Sequence, residues 1–102
     1  MGNNGWFGMS LNVDAEGISL NPTIRSIKVL SVVPTSPAGS AGLVPGDSIV
    51  EVQGIIVAGS KADVLKAAMQ KAVGEALHLK VRRGATVSRE VTLIAISKPP
   101  GM

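Results

Sequence analysis

The run Gly5-Trp6-Phe7-Gly8-Met9-Ser10-Leu11 carries the clearest chemical potential in this chain. Glycines stand on both sides of an aromatic pair, and an alternating apolar stretch follows at once. Glycine lets a backbone turn tightly and come close to a ligand. A turn whose N–H groups point the same way makes a cavity for an anion. A strand leaving that turn offers its edge to an extended chain. Together these are parts from which a site for a peptide's C-terminal carboxylate can be built by strand addition.

Other chemistries find little support. His78 is the only histidine, and strand alternation puts it on the solvent side with Lys80 and Arg82. A metal site would need further ligands, and no suitable cluster is visible. There are no cysteines, which excludes disulfides and thiolate metal sites. Asp47 and Glu51 fall on a turn and a strand, without the paired setting that acid–base catalysis needs. No serine sits in a nucleophile elbow. The reading is therefore of a chain without a catalytic constellation or cofactor. Lys80, Arg82, Arg83 and Arg89 gather around a hairpin. They suit acidic partners or lipid head groups, with a solvated hairpin as the plainer reading.

The elements that must position the glycine run follow from composition and period. At 102 residues the chain is sized for one domain. It is 45% hydrophobic but only 2% aromatic, so its core must rest on aliphatic side chains. The net charge of +3 is too mild to argue for nucleic acid, and no run is long enough to span a membrane. Met1-Gly2 resembles a myristoylation start, but Trp6 occupies the sixth position, where a small hydroxyl residue is expected.

Met9, Leu11 and Val13 alternate with polar residues as a first strand over 9–13. Asp14 to Ser26 reads as a long loop, and Ile27 to Val33 as a second strand. Ser36-Pro37 opens a short helix, with Ser36 as its cap and Gly42 at its end. Ser48 to Val52 reads as a strand, followed by a Gln53-Gly54 turn and the short apolar piece 55–57. A main helix is predicted over Ser60–Val73, with Ser60 and Asp63 as a capping box and Gly74 as its stop. Val64, Leu65, Ala68, Met69 and Ala72 would share one face, with Lys66, Gln70 and Lys71 pointing elsewhere. A hairpin closes the chain, its strands starting at Leu77 and running from Val87 to Ile96.

The stretch Ser36-Pro-Ala-Gly-Ser-Ala-Gly-Leu-Val-Pro-Gly-Asp-Ser-Ile-Val-Glu-Val-Gln-Gly54 strongly resembles a PDZ domain. Gln53 stands where that family usually has Asn. The resemblance covers residues 5–97, with 1–4 and 98–102 left as flexible or appended tails. It implies an α+β fold, a partly open antiparallel barrel or sandwich of five to six strands with one short and one long helix. Almost nothing precedes Gly5, and the last strand is available to fill the place of the family's usual first strand. This resembles the circularly permuted order of bacterial PDZ domains in HtrA-like, C-terminal processing and site-2 proteases and secretion components. It points to the periplasm or cell envelope if the source is bacterial.

The resemblance also implies a site. Trp6, Phe7, Gly8 and Met9 match the family's carboxylate loop in register, so the N–H groups of Phe7, Gly8 and Met9 would hold the carboxylate. The strand carrying Ser10 would pair with the peptide. Phe7, Met9 and Leu11 would line a pocket for the last side chain, opposite Leu65 and either Ala68 or Met69. Lys61 falls where the family reads the antepenultimate ligand residue. Trp6 is open between an exposed flank, a ligand contact and packing within the domain. The expected partners are C-terminal peptides or extended protein segments, bound by a monomer that recognises substrate for a larger protease-type protein. A scaffold module binding an internal segment or a protein surface is the alternative. Met102, an apolar residue at the end of the chain, suggests self-association through the same pocket.

Overall fold

The structure, a computed structural model, describes residues 4–17, 20–85 and 87–100. Six strands and two helices follow the order β1 (Met9–Glu16), β2 (Thr23–Val32), α1 (Pro37–Ser40), β3 (Ser48–Val52), β4 (Ile55–Ile56), α2 (Ala62–Met69), β5 (Ala76–Arg83) and β6 (Val87–Ile94). The strands form one antiparallel sheet in the order β1-β2-β3-β5-β6, with β4 paired to β3. The architecture is α+β, as the resemblance implies.

The core follows the strand period. Ile27, Ile49 and Val81 are cross-strand partners on adjacent strands, and each is at most 3% exposed. Val52 pairs with Leu79 on the same face, and Leu79 with Val91. Leu43, Val57, Leu65, Leu77 and Leu93 complete an aliphatic interior, as a chain poor in aromatic residues requires.

Three elements differ from the sequence reading. Residues 14–26 are not a long loop, because β1 continues to Glu16 and β2 begins at Thr23. Register shifts at Ser10/Leu11 and Asp14/Ala15 break the simple alternation that marks a strand. The main helix is also shorter than 60–73. Its Ser60–Asp63 capping box does not form. Lys61 is the N-cap and makes no side-chain cap bond, while the Ser60 hydroxyl donates to the Ile56 carbonyl. Asn21, in the connection between β1 and β2, supplies the cap, its Oδ1 accepting from the Asp63 N–H at 2.9 Å. At the other end α2 stops at Met69, before Gly74, because Gln70 is extended. The Gly5 N–H bonds the Lys71 carbonyl at 2.6 Å and Asn4 bridges Ala72, so residues 70–72 form a β contact where a helix was predicted. Val64, expected on the packed face, is 45% exposed.

The Gln53-Gly54 turn is left-handed at both residues, with φ of 52° and 79°, as a tight two-residue hairpin requires. Glutamine is a poor left-handed residue, but here it has a compensation. Its Oε1 accepts from the His78 N–H at 2.6 Å while its own N–H donates to the His78 carbonyl at 2.8 Å.

Candidate functional site

The glycine run folds into a loop in which three successive carbonyls are bonded. The Trp6 carbonyl accepts from Ile96 N–H (3.2 Å), the Phe7 carbonyl from Ala38 N–H (3.0 Å) and the Gly8 carbonyl from Val33 N–H (2.7 Å). In a trans peptide the N–H points away from the C=O of the same plane. Anchoring these three carbonyls therefore turns the N–H groups of Phe7, Gly8 and Met9 away from their anchors. Among the described residues, the Phe7 and Gly8 N–H groups donate to no protein atom.

The Ser-Pro helix holds this loop in place. Ser36 is 1% exposed. Its hydroxyl accepts from the Gly39 N–H at 3.1 Å and donates to the Val33 carbonyl at 2.7 Å. Gly8 sits on it at φ +80°, and a Cβ there would collide with the Ser36 side chain. Gly5 is equally constrained, because a Cβ would strike the Ala95 side chain. Ala95 pairs with the 74–75 turn, and Ile96 then crosses to Trp6. The end of the chain's last strand thus lies beside the start of the loop.

Helix α2 is pinned alongside β1 at both ends. Its N-terminal end is tied to the far end of the β1–β2 ribbon, where Lys61 bridges Thr23 and the Ala62 N–H donates to the Pro22 carbonyl. Thr23 is in turn the partner of Glu16 at the end of β1. Its C-terminal end is tied to the glycine loop through Lys71 and Gly5. The helix therefore runs antiparallel to β1, whose outer edge is the end of the sheet order.

At the loop end lies a cavity of about 430 Å³ lined by Asn4, Gly5, Phe7, Met69, Gln70 and Lys71. It brings together Phe7 and Met69 among the ten residues singled out in the sequence. Met9, Leu11 and Ala68 are half-buried against the core, and Leu65 is 3% exposed within it. The Ser10 hydroxyl faces Ser31 across the β1–β2 pair. The Trp6 indole lies against Gly8 of its own loop. Lys61 is exposed at the opposite end of α2. Gln70 and Lys71 escaped the sequence reading because a continuous helix would have turned them away. Asn4 and Gly5 line the cavity only through their pairing with residues 71 and 72. Met102 lies outside the described residues.

A second buried polar group lies away from this site. Asp47 is 1% exposed and accepts from Arg83 through Nε at 2.9 Å and through Nη2 at 3.0 Å. Its Oδ2 also accepts from the Val44 N–H at 3.1 Å. Arg83 further donates to the Gly42 carbonyl, and Arg89 to the Ala41 and Gly42 carbonyls. The Arg83 guanidinium, helped by the Val44 N–H and opposed by burial, holds the Asp47 carboxyl below the usual carboxylate range. Asp47 and Arg83 thus fix the turn after α1, and Lys80 pairs with Glu51. Much of the predicted basic patch is engaged within the fold.

A sheet edge beside a pinned helix, met at one end by a loop whose Phe7 and Gly8 N–H groups are unbonded among the described residues, is an arrangement of the PDZ class. The family model for the PDZ domain matches residues 15–93, and the chain belongs to that family. A PDZ domain is a binding module. Among curated proteins, HhoB of Synechocystis sp., which carries a serine protease name, is 41% identical over 58 residues. That match covers 57% of this chain and 14% of HhoB, so the chain spans only a small part of that relative. Solved structures share the fold. The PDZ domain of a carboxy-terminal protease from Vibrio cholerae, in complex with peptide, superposes with a TM-score of 0.67 at 23% identity, over 91% of this chain and 93% of that one. The HtrA3 PDZ domain bound to a phage-derived ligand gives 0.64 at 22% identity, covering 89% and 84%. The HtrA-type protease AlgW with a decapeptide gives 0.67 at 20% identity, covering 95% of this chain and 30% of AlgW.

Proposed function

We propose that this domain, spanning residues 5–97, captures the C-terminus of a partner polypeptide by strand addition along β1, between β1 and α2. The observation that carries this reading is the run of anchored carbonyls at Trp6, Phe7 and Gly8, which turns the following N–H groups away from their anchors and leaves those of Phe7 and Gly8 unbonded among the described residues. A terminal carboxylate on those N–H groups makes charge-assisted hydrogen bonds, stronger than neutral ones. The last side chain enters the cavity between Phe7 and Met69, and Lys71 adds a cation at the same end. Met9, Leu11 and Ala68 flank the following peptide residues, and Leu65 supports the helix wall from the core. Lys61, at the far end of α2, selects for an acidic antepenultimate residue. In the parent chain the domain recognises substrate for a protease, in keeping with the names of HhoB and of the structural neighbours.

Burying one apolar side chain contributes about 1.5–3 kcal/mol, a fraction of the roughly 8 kcal/mol that micromolar binding needs, and the carboxylate and strand hydrogen bonds supply the rest. The test is fluorescence anisotropy with peptides ending in Val, Leu, Ile, Ala, Met or Phe, each as free acid and as amide. The expected result is binding that amidation weakens at least about tenfold, a loss of about 1.4 kcal/mol. Equal binding of acid and amide would overturn carboxylate capture and leave an internal segment as the ligand. Peptides differing only in Asp, Lys or Thr at the antepenultimate position test Lys61, and equal affinities would remove it from the site.

A further inference from the structure

The sheet carries a second concave site on the face opposite the core. Because Ile27, Ile49 and Val81 are aligned partners facing inward, their neighbours Lys28, Ser48 and Arg82 form an aligned row facing outward. Cross-strand partners have Cβ atoms about 4.5–5.5 Å apart, so Lys28 and Arg82 flank Ser48 on either side. This row and the segment 56–58 at the end of β4 line an open cavity of about 330 Å³. Arg25, Ser26, Lys28, Ser48 and Arg82 supply its polar wall, and the apolar wall includes Val50 and Ile56. No Asp or Glu lines it.

Cations without a carboxylate partner recur among the described residues, Lys61, Lys66 and Lys71 included, but here two of them line one cavity. Arg83 and Lys80 are matched to Asp47 and Glu51. Among the described residues, Lys28 and Arg82 have no carboxylate within salt-bridge distance, and Arg25 meets only the exposed Asp14 at 3.4 Å. The Ser26 and Ser48 hydroxyls are half-buried and make no hydrogen bond to a described protein atom. Ile56, on the opposite wall, is 63% exposed. Like charges gathered in a concavity repel one another, and an anion between them relieves that repulsion. Arginine matches phosphate oxygens in a two-pronged geometry, lysine adds a point charge, and the serines complete the donor set.

We infer that this cavity binds an organic phosphate monoester, with its phosphate on Lys28, Ser48 and Arg82 and its apolar body against Val50 and Ile56. The cavity lies at the small end of the range for ligand sites, which suits one phosphate and a compact apolar group. The site is separate from the glycine loop and does not depend on the peptide-binding reading.

The test is an NMR titration of the isotope-labelled chain with phenyl phosphate, inorganic phosphate and benzyl alcohol. Phenyl phosphate should give saturable shifts at the Lys28, Ser48 and Arg82 amides. Inorganic phosphate should bind more weakly, benzyl alcohol should give no saturable shift there, and Phe7 to Leu11 should stay unmoved. Lys28→Met combined with Arg82→Met should weaken phenyl phosphate at least about tenfold, while Arg82→Lys should retain part of the affinity. Failure of either phosphate to saturate, an equal response in the double variant, or equal shifts from benzyl alcohol would overturn the proposal. Phosphatidylcholine vesicles with and without phosphatidylinositol 4-phosphate identify the source. Tighter binding to the phosphoinositide vesicles than to phenyl phosphate assigns the site to a lipid headgroup, and no gain assigns it to a soluble phosphate.

Discussion

The turn at Asp47 and the glycine loop at Gly8 are both buried, both built from polar backbone and both held by the neighbourhood of α1, yet they finish differently. At Asp47 both carboxylate oxygens are matched, by Arg83 and by the Val44 N–H. At the glycine loop the Gly5 and Trp6 N–H groups and the Trp6, Phe7 and Gly8 carbonyls are matched, whereas the Phe7 and Gly8 N–H groups find no partner among the described residues. Buried polar groups are normally hydrogen-bonded. A satisfied cluster therefore marks a structural joint, and the half-satisfied one is where the proposed function places the ligand carboxylate.

The sharpest way to break this contrast is Gly8→Ala. The new Cβ collides with Ser36 in a left-handed conformation that alanine resists. A loss of about 2–4 kcal/mol is expected, read by denaturant unfolding, together with loss of peptide binding in whatever fraction stays folded. Asp47→Ala should come next, at about 2–3 kcal/mol, because the Val44 N–H and the Arg83 fork lose their acceptor. Peptide affinity should change little, since the site lies elsewhere. A large loss of affinity in the folded protein would show that the two regions are coupled.

The Asp47 joint also predicts a pH dependence. Its carboxyl is held low in the fold, chiefly by Arg83, so the unfolded chain binds the proton more readily. This contribution is complete above the unfolded carboxylate value of about 3.9 and is lost as pH falls through the lower folded value. Thermal unfolding followed across the acid range should show it, and Asp47→Asn should flatten that part of the profile. Ser36→Ala removes the cap of α1 and one anchor beneath the glycine loop, for about 1–2 kcal/mol. The smallest effect is expected at Gln53→Ala, about 1 kcal/mol, because the His78 N–H loses its side-chain partner while the strained turn remains. A change in peptide affinity there would contradict the separation of joint and site.

Much of this was legible in the sequence because the signals were local. The alternation of Ser48 to Val52 reads directly as β3, and the Ser36-Pro37 pair marks the start of α1. The glycine loop was recognisable because a close backbone approach requires glycine at positions 5 and 8. The β1 extension was hidden by register shifts, which disturb the period of two. The end of α2 was hidden because a helical pattern does not reveal that Gly5, some 65 residues earlier in the chain, bonds the Lys71 carbonyl.

The sequence by itself determined most of the inward-facing aliphatic set and the α1 cap, because each depends on period or on backbone sterics within a few residues. Only the tertiary structure decided which N–H groups are left unpaired, which residues close the cavity at Phe7 and Met69, and which cations are matched. Those outcomes depend on long-range partners. Arg83 meets Asp47 across the fold, whereas Lys28 and Arg82 flank Ser48 through strand register alone.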